Sequence, residues 1–464
     1  MPKRCEDDES AIRVAVVESD VRSRPGWIKC RIDENLRFSA EPLASYFFAK
    51  WEPLVFDALL LAAAVEFCDR IKRRPSFQWS REIELRIPVH APAVWKQRDV
   101  TESLHDALEF LTGDRWRVEF TERKNAITPP RQGLFNLPPA ESLAIIPFSE
   151  GLDSRAVAGF MSRKFGDRLI RVRLGTKSDD RPSDSSGRRS PFAGVPYNVR
   201  RGEHRFVESS ARSRGFKFAL LSGLAAYMAK ADRVFVPESG QGALGPSLVP
   251  VGQAYEDYRN HPAFTAKMSV FLKSLLGHDV RFEFPRLWFT KGETLLEYVS
   301  GSAQAADWKE TRSCWQDNRY ASVNEHRRQC GICAACMLRR LSVHAAGLSE
   351  APETYIWEDL RAGSFEDGAA VGFKKIAAQR NYAIAGALHL DHLAGLRRSR
   401  IHAPALESNT RHLARSLQLP EQEVRTGIER MLTQHEKEWK DFMEFLGPDS
   451  FVSRWTERAY DHVA

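Results

Sequence analysis

From Ala140 to about Leu295 the chain alternates short apolar runs with stretches of helical periodicity. "SLAIIPF" reads as a strand and "LDSRAVAGFMSRKF" as a helix with Leu152, Ala156 and Phe160 on one face. "RLIRVRL" and "DRVFVP" read as strands, and "GFKFALLSGLAAYMAK" between them as a buried helix. "VPYNVRR" can pair as a further strand; a strand over "VRFEFPRL" and a helix after "TKGETLLEYV" end the series. A strand that returns through a helix to the same end of a sheet pairs in parallel. The rhythm therefore predicts an α/β core, a Rossmann-like parallel sheet with helices on both faces.

The flanks have a different texture. Over residues 1–138, "AIRVAVVES", "WIKCRID", "REIELRIPV" and "RWRVEFTER" read as strands. Pro53 opens a helix that runs to Arg70, and "TESLHDALEFL" forms another, so an N-terminal α+β domain is expected. The proline-rich stretch 125–139 reads as a linker, and the polar stretch 177–190 has almost no apolar residues. Residues from about 350 onward read as helices only. With 464 residues the chain has room for about three domains: 1–138, the core at 139–348, and a C-terminal helical region at 349–464.

Charge and hydropathy exclude some functions. The net charge of +7 permits an anionic ligand, but acidic and basic residues are interspersed, and no basic stripe points to nucleic acid. The apolar run Leu54–Phe67 is too short to span a bilayer and contains Asp57 and Glu66. The N-terminal "MPKRCEDDES" has no apolar signal region, so a cytoplasmic location is expected.

Two motifs carry chemistry. The strand "SLAIIPF" runs into Ser149-Glu150-Gly151-Leu152-Asp153-Ser154 and then a helix. Such a turn points backbone N–H groups at one spot, and the helix N-terminus adds partial positive charge. Ser149 and Ser154 can donate to phosphate oxygens, while Asp153 can cap the helix or hold Mg²⁺. On these residues alone, a plain capping turn is equally compatible. The second motif is Cys314-x15-Cys330-x2-Cys333-x2-Cys336. Four thiolates at this spacing fill the tetrahedral shell of Zn²⁺ and leave no open position, which is the mark of a structural site. An iron–sulfur cluster is the alternative. His326 lies between the cysteines and reads as a surface residue.

Together these stretches resemble a known family. Ser-x-Gly-x-Asp-Ser after a strand is similar to the loop of the PP-loop ATP pyrophosphatases (adenine nucleotide alpha hydrolase-like fold). "SCW…CGICAACMLRR" resembles the zinc segment of the 7-cyano-7-deazaguanine synthase (QueC-like) family. "ARSRGFKFALLSGLA" and "FPRLWFTKGETL" resemble two further segments of that family, in the expected order, so the likeness covers about residues 140–348. It implies an ATP-dependent, AMP-forming carbon–nitrogen ligase that adenylates a 7-deazaguanine carboxylate. Ser149, Gly151, Leu152, Asp153 and Ser154 would then bind ATP. Arg212, Lys291 and Asp153 would be catalytic, Tyr255 and Tyr258 would stack on the base, and Mg²⁺ and Zn²⁺ would be the metals. Glu150 in place of the family's glycine, and Ser213 in place of asparagine after Arg212, depart from the pattern. The added flanks resemble long relatives in bacterial antiphage operons (Qat and type IV CBASS types). They leave room for a protein acceptor encoded nearby and for a homodimer. A synthase of the free nitrile, a tRNA-modifying PP-loop enzyme and an inactive nucleotide-binding scaffold are the alternatives.

Overall fold

The computed structural model describes residues 11–18, 25–46, 52–74, 80–124, 143–149, 151–175, 192–208, 212–252, 256–301, 306–316, 321–373 and 377–460. They fall into two compact units, one drawn from 1–147, 167–235 and 264–283, the other from 148–166, 236–263 and 284–464. The longer helices are α1 (Pro53–Ile71), α2 (Arg98–Thr112), α3 (Leu152–Phe165), α4 (Arg214–Ala229), α5 (Pro262–Leu276) and α6 (Lys291–Ser300). They continue with α7 (Ala334–Ala345), α8 (Ala377–Gly395), α9 (Ala403–Leu417), α10 (Glu421–Leu446) and α11 (Ser453–Tyr460).

The first unit opens with β1 (Ile12–Val17), β2 (Ile28–Arg31), β3 (Leu36–Phe38), β4 (Glu82–Val89) and β5 (Arg115–Glu122). Four of these form a sheet in the order β2-β1-β4-β5, with every pair parallel. The α+β expectation for this region is thereby corrected to α/β. The reason is that α1 and α2 each lie between successive parallel strands, as crossovers do. The helix α1 is buried along almost its whole length, which explains its apolar residues on every face. Its two buried acids are each satisfied. Asp57 accepts from the backbone N–H of His90 and Ala91, from the His90 ring and from the Trp95 indole. Asp69 pairs with Arg74 at 2.8 Å and Arg81 at 2.7 Å, and the same two guanidiniums hold Asp114, each at 2.6 Å. A four-member network of this kind leaves no buried charge unpaired.

The second sheet of this unit comprises β6 (Ala144–Pro147), β7 (Leu169–Leu174), β8 (Phe192–Val195), β10 (Arg233–Phe235) and β11 (Arg281–Glu283) in the order β11-β10-β6-β7-β8, all parallel. The expected strand at "VPYNVRR" is broken at Pro196. Only Val195 belongs to β8, and β9 (Tyr197–Val199) turns away to pair antiparallel with β3. From β6 the strand order grows outward in both directions, so the switch point lies between β6 and β10. Here the chain leaves β6 into the Ser149–Ser154 turn and leaves β10 toward Glu238.

The second unit contains α3 and most of the chain after Phe284. The expected helix after "TKGETLLEYV" is instead that stretch itself, α6, with Thr290 as N-cap. Thr290 Oγ1 accepts from the Glu293 N–H, and the Glu293 side chain accepts from the Thr290 N–H. This is a capping box, and its Thr-x-x-Glu signature was present in the sequence. The expectation of helices alone beyond residue 350 holds from Ala377; residues 355–373 instead run without helix, tied by bridges Gln329–Tyr355 and Trp357–Ala369. Trp357 explains why: it is fully buried, donates from its indole to the Phe365 carbonyl and stacks on Phe365.

The cysteine segment, α7, α8 and α10 share one core, in which Cys330, Cys333, Cys336, Ala383, Ala387, Trp439 and Phe442 are buried together. Gly386 lets α8 lie directly on the start of α7. A Cβ there would come within 2.9 Å of the Ala334 nitrogen and 3.1 Å of the Ile332 carbonyl oxygen. Both are backbone atoms and cannot rotate away. Gly386→Ala should therefore lower unfolding stability by about 1–3 kcal/mol, despite the gain in helix propensity. Urea denaturation that shows the variant equal to or above the wild type would disprove this packing.

Candidate functional site

Every residue of the site described here belongs to the second unit. Gly151 is the N-cap of α3, whose first turn carries Leu152, Asp153 and Ser154. Ser149 Oγ accepts from the Gly151 N–H at 3.1 Å and lies 2.9 Å from Ser154 Oγ. The two hydroxyls and the unsatisfied N–H groups of the helix start thus face the same turn. Leu152 points inward, 2% exposed, into a cluster with Ala156, Leu295, Tyr298 and Trp308, so its side chain serves packing. Glu150 and Tyr255 lie outside the described residues.

Asp153 is 6% exposed, with Lys291 of α6 closing over it. Lys291 Nζ meets Asp153 Oδ2 at 2.6 Å. The second oxygen, Oδ1, is buried and receives no N–H donor, and Glu238 is the carboxyl that bonds to Asp153 when it carries a proton. Glu238 completes the cluster. Burial pushes its carboxyl well above the usual range, and the adjacent Asp153 charge pushes it further. For Lys291, burial pulls the pKa down, but the charges of Asp153 and Glu238 outweigh that and the net shift is upward. The result is a buried ammonium paired with Asp153, with Glu238 the other partner of that carboxylate and biased toward its neutral form. Asn260 donates to Glu238 at 2.7 Å. Gly242 leaves room for the carboxylate, since a Cβ there would fall 2.0 Å from Glu238 Oε1.

Lys291 is held from behind as well. Its backbone N–H, one of the free donors at the start of α6, goes to Gln241 Oε1 at 2.7 Å. One residue earlier, Thr290 Oγ1 lies 2.5 Å from Glu438 Oε1, and Gln434 donates to the same oxygen at 3.1 Å. Glu293 of the capping box is tied to Arg430. Sequence reasoning missed Glu238, Gln241, His435 and Glu438. Glu238 was the most accessible of these: "VFVPESG" repeats, after β10, the strand-then-turn pattern that marked Ser149 after β6.

Two other expected residues have partners of their own. Arg212 belongs to the first unit, where Nη1 donates to the Thr112 carbonyl. Beside it, the Ser213 N–H donates to Asp69. Tyr258 is half-buried, its hydroxyl bonded to Glu256 and its ring edge-on to His261 at 5.2 Å.

The four cysteines converge. All four sulfurs lie within 4.8 Å of one another, and Cys330 Sγ is 3.8 Å from Cys336 Sγ. Four sulfurs each ~2.3 Å from one zinc ion would be ~3.8 Å apart, so the quartet fits the ion. Backbone N–H groups of Cys330 and Gln316 point at Cys314 Sγ, and that of Cys333 points at Cys330 Sγ. Such donors orient thiolate ligands and neutralise part of their charge. The cluster can hold zinc, with Cys314, Cys330, Cys333 and Cys336 as ligands.

Residues 243–347 match the family described as queuosine biosynthesis protein QueC. The match takes in Lys291 and all four cysteines and supports the QueC-like reading of this stretch. No curated protein matches the chain at a significant level. Among the described residues, no helix is long and apolar enough to cross a membrane.

Two predictions follow from this geometry. Metal analysis of the purified protein should find one zinc ion per chain. Cys336→Ser should lower zinc content and melting temperature together, because a saturated thiolate site supports folding. Absence of zinc, or an iron–sulfur absorption band, would refute the assignment. The second concerns Glu438, whose carboxyl is lifted by burial to about 7. A carboxyl raised in the folded state contributes stability that is complete below its unfolded pKa, ~4.3, and is lost as pH climbs through the folded value. Glu438→Gln has no such titration. The melting temperature of the variant should gain on the wild type from about pH 5 to about pH 8, whereas a constant difference would show that Glu438 titrates normally.

Proposed function

We propose that the chain is an ATP-dependent ligase of the PP-loop type that activates the carboxylate of a 7-deazaguanine base and joins it to an amine. The observation that carries this reading is the Lys291–Asp153–Glu238 cluster at the start of α3, on a chain whose residues 243–347 match QueC. A carboxylate is a poor electrophile. In the reaction proposed, its oxygen attacks the α-phosphorus of ATP, the bond to the β-phosphate breaks, and pyrophosphate leaves. The amine then adds to the acyl carbon of the adenylate, loses its proton, and AMP departs with the bonding electrons.

The chain's own groups suit the first step. Lys291 can shift its ammonium from Asp153 to a phosphate oxygen without passing through bulk water. Ser149, Ser154 and the helix N-terminus add donors where negative charge develops. Asp153 and Glu238, two buried carboxyls in contact, are the residues that would hold Mg²⁺, which supplies charge neutralisation for the triphosphate when bound. Arg212, as a second cation, and Tyr255 and Tyr258, as stacking groups for the base, stay in the proposal on the family resemblance alone. The amine acceptor is proposed to belong to a partner protein, on the likeness of the flanks to those of defence-operon relatives.

Isotope exchange between pyrophosphate and ATP tests the first step. Exchange should depend on 7-carboxy-7-deazaguanine and fall at least about 100-fold in both Lys291→Met and Asp153→Asn. Release of ADP and phosphate in place of AMP and pyrophosphate, or exchange that ignores both substitutions, would sink the proposal. Intact-mass analysis of neighbouring gene products, incubated with enzyme, ATP and the base, would show whether a protein is the acceptor.

A further inference from the structure

The catalytic lysine proposed above is anchored by a helix outside the family match. Gln241 receives the Lys291 N–H, and its amide nitrogen lies 2.7 Å from Nδ1 of His435, far away on α10. The other ring nitrogen of His435, Nε2, lies 2.9 Å from the Leu390 carbonyl oxygen. A carbonyl can only accept, so Nε2 carries the hydrogen. Nδ1 must then accept, so Gln241 donates to it through its NH₂ and turns its oxygen to Lys291. Each atom of the relay has one assignment. His435 is fully buried, and burial holds its pKa down to about 4, so the ring stays neutral and this tautomer persists at physiological pH.

We propose that His435 and Gln241 are positioning residues for Lys291, and that α10 is through them a working part of the nucleotide site. The proposal rests on the ligase reading for what Lys291 does, but not for how it is held. Lys291 is the first residue of α6, and the direction of its side chain follows from the orientation of that first turn. His435 acts on the N–H of Lys291 through Gln241. Glu438, three residues along the same face of α10, acts on Thr290. Two adjacent residues of the helix start are thus pinned from one helix. A histidine at this point serves because it can accept on one edge and donate on the other while buried. An aliphatic residue of similar volume would leave both the Gln241 amide and the Leu390 carbonyl without partners.

Two substitutions separate positioning from mere packing. Asparagine places its oxygen close to where Nδ1 sits and can still accept from Gln241. Glutamine places its amide nitrogen close to where Nε2 sits and can bond Leu390, but leaves Gln241 without its acceptor. Both are polar and fit the space, and circular dichroism and zinc content confirm the fold of each. The first readout needs no turnover. Acetylation of Lys291 by an N-hydroxysuccinimide ester, followed by mass spectrometry, should be about tenfold faster in His435→Gln and in Gln241→Met than in the wild type. In His435→Asn it should stay within about twofold. The second readout is pyrophosphate exchange, where kcat should fall about 10- to 100-fold in the first two variants with the KM for ATP nearly unchanged, and recover in His435→Asn. Folded variants in which neither the acetylation rate nor kcat moves would overturn the proposal, as would equal loss in His435→Asn and His435→Gln. Should the wild type show no exchange while the acetylation pattern appears as expected, the positioning role stands and the ligase reading fails.

Discussion

A lysine ammonium buried against one carboxylate, with a second carboxyl beside that pair, is costly to assemble. Taking the charges of Lys291, Asp153 and Glu238 out of water carries a desolvation penalty that their mutual attraction repays only with good geometry. Hydrophobic residues of the same volume would be at least as stable. The cluster therefore makes sense as a site poised to exchange partners: an anion for the lysine, a cation for the carboxylates. The proton on Glu238 fits that view. Burial and the Asp153 charge raise the Glu238 carboxyl although Lys291 and Arg259 act to lower it, and an arriving cation would favour its ionised form.

How much of this was legible in the sequence depends on the distance over which each feature acts. The alternation of apolar runs and helical stretches is local, and it gave the parallel five-stranded sheet and α3. The cysteine quartet spans little sequence, and spacing alone brought its sulfurs together. The Thr290-x-x-Glu293 box is equally local; it was missed because "TKGETLLEYV" was read as a motif and not as a helix start. The burial of Asp153 was not legible, because the residue that covers it, Lys291, lies on another helix. The relay could not have been read at all, since Gln241 and His435 are 194 positions apart. Nothing in "MLTQHEKEWK" marks His435 as other than an amphipathic-helix residue.

The N-terminal region shows a different limit. Its strands were placed well, yet their parallel pairing was not foreseen. Strand direction is a property of the connections, and here the connections include short or irregular pieces whose paths the pattern does not fix. The buried network of Asp69, Arg74, Arg81 and Asp114 was likewise invisible, because charged residues read one at a time look like surface. Pairing of all four is what makes their burial tolerable.

The helix α10 links the two constellations of the second unit. Toward its C-terminal half, Trp439 and Phe442 are buried with Cys330, Cys333 and Cys336. Trp439 also donates to Asp391 of α8 at 2.9 Å, which fixes the roll of α10 about its axis. Interleaved with them, at positions i−4 and i−1 from Trp439, His435 and Glu438 reach toward the start of α6, through Gln241 and at Thr290. The same two turns of α10 thus carry both the residues packed with the cysteine cluster and those that reach the first turn of α6. The four-cysteine segment is thereby joined to the start of α6 through α10. It defines where α10 lies, α10 defines where the first turn of α6 points, and that turn carries the ammonium.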